Sequence, residues 1–199
     1  MNYRKFIKTR KKELITLFVI LLLSSSYVII LNFAEIEEQK RISELKLPII
    51  KKISFEEYTL GGLVYVNNSI WAISPSKKAL IGFNESGDVL AYFSLNLSAP
   101  WGVSYRDGLF YIVDSLTSNI YTFNISSSKS SFVMSTNLTL LKGISWASGK
   151  LFVVDISRST VYKVNITSKT VTAFSTNVQL EAPTGITWNG TSLWLADMS

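Results

Sequence analysis

GISWASGKLFVVD, residues 143–155, has two near-copies in the same chain: GVSYRDGLFYIVD (102–114) before it and GITWNGTSLWLAD (185–197) after it. A weaker copy opens with GLVY at residue 62. The leading glycines are Gly62, Gly102, Gly143 and Gly185, spaced 40, 41 and 42 residues apart. Twelve residues after each stands Ser74, Asp114, Asp155 or Asp197, and ten residues after the first three of these stands Asn84, Asn124 or Asn165. Markers that hold their offsets across three or four copies define a structural unit.

The runs between the markers, such as LFYIVD, TVYKVNI and TVTAFST, are rich in Val, Ile, Phe and Tyr. They are punctuated by turn formers such as RDG, ASG, ESGD and TSKT, so each copy reads as four short antiparallel strands. For the third copy these are GISWA, KLFVVDI, TVYKVNI and TVTAFST. A helical period is missing, which excludes an α-solenoid. Four strands in a unit of 40–45 residues are the signature of a β-propeller blade. The expected fold is all-β: about three four-stranded blades (62–98, 102–139 and 143–180), then two strands of a fourth. KKISFEEYTL (51–60) sits where the other copies have their outer strand. It would meet the last strand of the partial blade with the wrong polarity for an antiparallel pair. The repeat domain, 51–199, is therefore expected to be an incomplete propeller. It is read as truncated or as completed by another chain, with self-association or a second chain at the open blade edges.

GISWASGKLFVVDISRSTVYKVN is similar to the NHL-type and gluconolactonase-like propeller repeats. In those a Gly-led inner strand is followed by a strand ending in Ala/Val-Asp and then an aromatic or aliphatic third strand. The resemblance covers 51–199 and implies architecture rather than activity, because the fold hosts binding modules, lyases and lactonases. A lactonase-like relative implies a divalent metal on a Glu/Asn/Asp set at non-equivalent positions. Glu181 is the one acid with an expected place at a channel mouth, and one acid is not a site. Streptogramin-lyase-like propellers also resemble the repeat, and that resemblance implies histidine chemistry; the chain has no histidine.

The absence of cysteine excludes disulfides, thiolate metal sites and a cysteine nucleophile. The net charge of +6 is local. Residues 1–13 hold six of the 20 basic and one of the 14 acidic residues, a net of +5, which leaves +1 for the rest. No basic footprint remains on the folded part, so nucleic acid is excluded as a partner. Residues 14–33 carry no charge and are long enough to cross a bilayer at about 1.5 Å per residue. The run is too long for a signal-peptide core, and Ala34 after Phe33 is a poor cleavage site. These features predict a basic cytoplasmic tail (1–13), one N-terminal transmembrane signal-anchor helix in membrane lipid (14–33) and a stalk (34–50). The positive-inside rule puts everything after Phe33 outside the cell.

Asp114, Asp155 and Asp197 recur in successive blades, so they read as turn anchors rather than catalytic acids. Tyr65, Tyr105, Trp146 and Trp188 share the slot three residues after each glycine and read as blade-to-blade packing, as do Trp71 and Trp194 in second strands. Trp101 departs from the repeat (APWG against APTG) and is expected as an exposed contact on one face. Seven Asn-x-Ser/Thr motifs, at Asn67, Asn84, Asn96, Asn124, Asn137, Asn165 and Asn189, exceed chance and are candidate N-glycosylation sites on an external domain. Such a composition suits a prokaryote with surface N-glycosylation, such as an archaeon. The function expected is a membrane-anchored extracellular binding or scaffold module with no cofactor. The alternative is a truncated or partner-completed lactonase-like hydrolase, the one reading that needs a divalent metal.

Overall fold

The structure is a computed structural model in which residues 57–176 and 178–198 are described. The expected tail, anchor and stalk lie outside the described residues, as does most of the lone strand expected over 51–60. Among the described residues no helix is long and apolar enough to cross a membrane.

Among the described residues fourteen strands form four antiparallel sheets. The first contains β1 (Leu63–Val66), β2 (Ser69–Ser74), β3 (Ala79–Phe83) and β4 (Val89–Ser94). The second contains β5 (Pro100–Arg106), β6 (Leu109–Asp114), β7 (Asn119–Asn124) and β8 (Lys129–Ser135). The third contains β9 (Leu141–Ala147), β10 (Lys150–Asp155), β11 (Thr160–Asn165) and β12 (Thr170–Phe174). The fourth holds β13 (Pro183–Trp188) and β14 (Leu193–Asp197) alone. Strands pair in chain order within each sheet, as the repeat predicts. Residues 57–60, the described end of the expected lone strand, are not in a strand.

The hairpin turns follow from local chemistry. Asn67-Asn68, Asp107-Gly108 and Ser148-Gly149 each have positive φ at both residues. That is the type I′ geometry, whose twist matches that of paired strands, and Asn, Asp and Gly tolerate it best. The inner strands β5, β9 and β13 each carry a register shift against the second strand close to the repeat glycine, which is a bulge site.

Side chains alternate between two faces of each sheet. One face of each blade carries the residues one, three, eight and ten positions after the repeat glycine. The other carries those nine and eleven positions after it. Val103, Tyr105, Phe110 and Ile112 of the second blade thus meet Trp71, Ile73 and Leu80 of the first. Ile144, Trp146, Leu151 and Val153 of the third meet Tyr111, Val113 and Ile120 of the second. Ile186, Trp188, Leu193 and Leu195 of the fourth meet Phe152, Val154 and Val161 of the third. Each large side chain fully enclosed in these layers contributes about 2 kcal/mol. Gly82 stands opposite Trp71, and a Cβ there would come within 3.0 Å of the indole, so the missing side chain makes room for the ring.

The packing expected of Tyr65 and Trp194 is corrected by this geometry. Tyr65 is 56% exposed and Trp194 62% exposed. Each occupies the packing slot of its copy, but among the described residues no sheet lies before the first blade or after the fourth to receive it.

Candidate functional site

The repeat glycines bring the inner strands together. Gly62 donates its N–H to the Trp101 carbonyl at 2.7 Å. A Cβ on Gly102 would collide with the Lys142 carbonyl, and one on Gly143 would come within 3.0 Å of the Ile186 backbone nitrogen. Inner strands therefore pack side by side in the order β1, β5, β9, β13 around a common axis. At Gly185 the nearest atom to a Cβ is the Ala196 Cβ of its own sheet, at 3.4 Å.

The repeat aspartates fasten each blade at one end. Asp114 accepts from the N–H groups of Ser98 and Ala99 in the segment leading into β5, and from Leu116 and Thr117 in the turn after β6. Asp155 likewise accepts from Thr139, Leu140 and Ser157, and from the Ser157 hydroxyl. Asp197 accepts from Glu181 and Ala182. Burial alone would raise the pKa of Asp155, but the donors from Thr139, Ser157, Leu140 and Arg158 together lower it below the ordinary carboxylate value. These carboxylates are engaged by backbone, and Glu181 is exposed. Among the described residues no group of three or more His, Cys, Asp or Glu side chains could hold a metal ion.

In an antiparallel blade the first and third hairpins lie at one end, and the lead-in segment and second turn at the other. Asn67, Asn84, Asn124, Asn165 and Asn189 all occupy the hairpin end, while Asn96 and Asn137 occupy the lead-in end. Five of the seven, Asn67, Asn96, Asn137, Asn165 and Asn189, are exposed. The Asn84 amide is tied to Asp88 at 2.8 Å.

Around the axis, at the lead-in end, lies a cavity of about 550 Å³. Its walls are the glycines and apolar residues of the inner strands together with Trp194, Leu195 and Ala196 of β14, and its distinctive contributions come from the slot just before each repeat glycine: Gly61, Trp101, Lys142 and Thr184. This slot faces the axis in every blade and differs in every blade. Trp101, expected as an exposed contact, is half-buried here, and the Lys142 ammonium sits 3.0 Å from its ring centroid. Burial lowers the Lys142 pKa. Among the described residues no carboxylate lines the cavity, and neither ion pair involves Lys142. An aromatic face and a cation lacking a carboxylate partner therefore share one apolar space. The sequence reading missed Lys142, although the column that singled out Trp101 contains it. A second cavity, of about 560 Å³, lies between the hairpins of the second and third blades. It includes Arg106, whose guanidinium lies 4.4 Å over Trp146, and the sequon residue Asn165.

No protein-family model matches the chain, and no curated protein sequence matches it. Solved structures do. The virginiamycin B lyase of Staphylococcus aureus is similar at a TM-score of 0.56 and 16% identity, over 73% of this chain and 51% of that one. A chain of a nidogen/laminin complex is similar at a TM-score of 0.59 and 19% identity, over 74% of this chain and 59% of that one. The chain spans about half the length of the solved structures it matches most broadly in the lyase group. At such identities the likeness concerns the fold alone, and the fold is that of a β-propeller.

Proposed function

We propose that this chain is a membrane-anchored, extracellular propeller module of the NHL-like kind, which binds a small anionic ligand with an apolar or aromatic body in its axial cavity. The anchor and outward topology rest on the uncharged run 14–33 and the basic tail before it. The near-neutral repeat domain and its seven sequons suit the cell exterior. Glycans at the five hairpin-end positions would crowd that end and leave the axial mouth, at the opposite end, more accessible. The observation that carries the binding site is the Lys142 ammonium over Trp101, with no carboxylate partner among the described residues, in an apolar cavity. A bound carboxylate would supply the missing counter-charge while its apolar body covered the ring.

The test is calorimetric titration of the full chain in detergent with benzoate as the probe. Saturable binding is expected, weakened about tenfold or more in Lys142→Met, where the charge is removed and the stem retained. Binding that is absent, or unchanged in Lys142→Met, would overturn this site. Protease treatment of intact host cells tests the topology: the repeat domain is digested if it lies outside and is protected if it lies inside.

A further inference from the structure

The second and third blades meet around the cavity of about 560 Å³ between their hairpins, and one residue there breaks the repeat. Four residues after the first and third repeat glycines stand Val66 and Ala147. Both are buried, Val66 in the layer with Tyr105 and Ala147 in the layer with Trp188. The same place in the second blade holds Arg106, partly buried, with its guanidinium 4.4 Å from the Trp146 ring centroid. The other two junctions close with an apolar side chain at this place, so packing alone does not call for a cation. The Arg106 Nε donates to Asp107 at 3.0 Å. The Trp146 ring holds one face of the guanidinium and this bond holds one edge. Its two terminal nitrogens make no hydrogen bond or ion pair with the described residues. The fork is thus held in place and left open.

We propose that this cavity is a second binding site, for an acidic saccharide whose carboxylate is held by the open fork of Arg106. A planar carboxylate matches two parallel N–H donors of a guanidinium. Lys150 and Lys163 border the same cavity, so among the described residues three cations border it against the single carboxylate of Asp107. Such an excess draws anions in. The rest of the wall suits a hydroxylated body. The Tyr111 hydroxyl makes no hydrogen bond among the described residues. Burial and then the Asp107 charge raise its pKa, against the opposing charge of Arg106, so it stays a neutral donor. At the rim the Asn165 side-chain oxygen accepts from the Thr167 and Ser168 N–H groups, which leaves its NH2 group to donate outward. The volume is that of a small-molecule site. The two cavities share no residue, so this site stands or falls apart from the benzoate site.

The test is calorimetric titration of the full chain in mild detergent at low salt, produced in a host without N-glycosylation so that Asn165 carries no sugar. The probes are glucuronate, glucose and acetate. Saturable binding of glucuronate is expected, with none of glucose, which lacks the charge, and weaker binding of acetate, which lacks the hydroxylated body. Arg106→Val installs the residue that the first blade carries at this place, so the fold is expected to hold, as circular dichroism would check. Glucuronate affinity should fall about tenfold or more in that variant. Arg106→Lys keeps the charge and loses the planar fork, and its affinity should fall as well. Lys142→Met, in the other cavity, should leave glucuronate binding unchanged. Binding that is absent, that is unchanged in either Arg106 variant, that is lost in Lys142→Met, or that acetate or glucose matches overturns the proposal.

Discussion

The third and fourth blades carry the same markers in different surroundings. In the third, Gly143 is hemmed in by β13, Asp155 is fully buried and accepts four hydrogen bonds, and Phe152 is enclosed. In the two-stranded fourth, a Cβ on Gly185 would meet only its own sheet, Asp197 accepts from two N–H groups, and Trp194 is mostly exposed. The local chain is alike in both, with an inner strand, a hairpin and a strand ending in Asp. The neighbouring blade is what turns a marker into an enclosed contact. A repeat residue therefore has a role that is partly borrowed from the next copy.

The comparison predicts unequal effects for equivalent substitutions, read as shifts in the urea unfolding of the full chain in detergent by circular dichroism. The largest gap is expected between Trp71→Ala and Trp194→Ala. The first empties an enclosed layer between blades and should cost about 3–5 kcal/mol. The second, at protein concentrations low enough to hold single copies, should stay within about 0.5 kcal/mol. Equal costs would mean that the fourth blade is packed on both faces after all.

Next comes the glycine pair. Gly102→Ala forces a methyl against the Lys142 carbonyl and should cost about 3 kcal/mol. Gly185→Ala meets nothing nearer than 3.4 Å and should change stability by less than about 0.5 kcal/mol. A mild Gly102→Ala would show that the inner strands can move apart.

The smallest difference is expected between Asp155→Asn, at about 2 kcal/mol, and Asp197→Asn, at under about 1 kcal/mol. The Asp155 effect has a pH signature. Its folded-state pKa is lowered, so the carboxylate's contribution is fully present above the ordinary Asp value and is lost as pH falls through the folded-state value. The stability gap between the unmodified chain and Asp155→Asn should therefore narrow on acidification and stay flat above neutral pH. A gap that widens in acid would remove the charged hydrogen-bonded carboxylate as its cause.

Much of the fold was legible because the information is local and repeated. Period, strand count, hairpin positions and the turn residues Asp107-Gly108 and Ser148-Gly149 all appear in the one-dimensional pattern. The aromatic slot three residues after each repeat glycine reads as packing because it recurs, and Tyr105, Trp146 and Trp188 are found in the inter-blade layers. Tyr65 and Trp194 are exposed instead, since a place in the repeat says which face a side chain occupies but not whether another sheet stands over it.

The candidate site was legible only in part. Trp101 stood out as a break in the repeat, but Lys142, forty-one residues away, gave no sign of meeting it. Their contact depends on adjacent inner strands converging on one axis, which the crowded glycines permit. By itself the sequence determined the repeat, the antiparallel blades and the chemistry of the turns, because strand period and turn preference act over a few residues. Tertiary structure alone decided which aromatic faces are covered and which cation lies over which ring, because those depend on how one blade is set against the next.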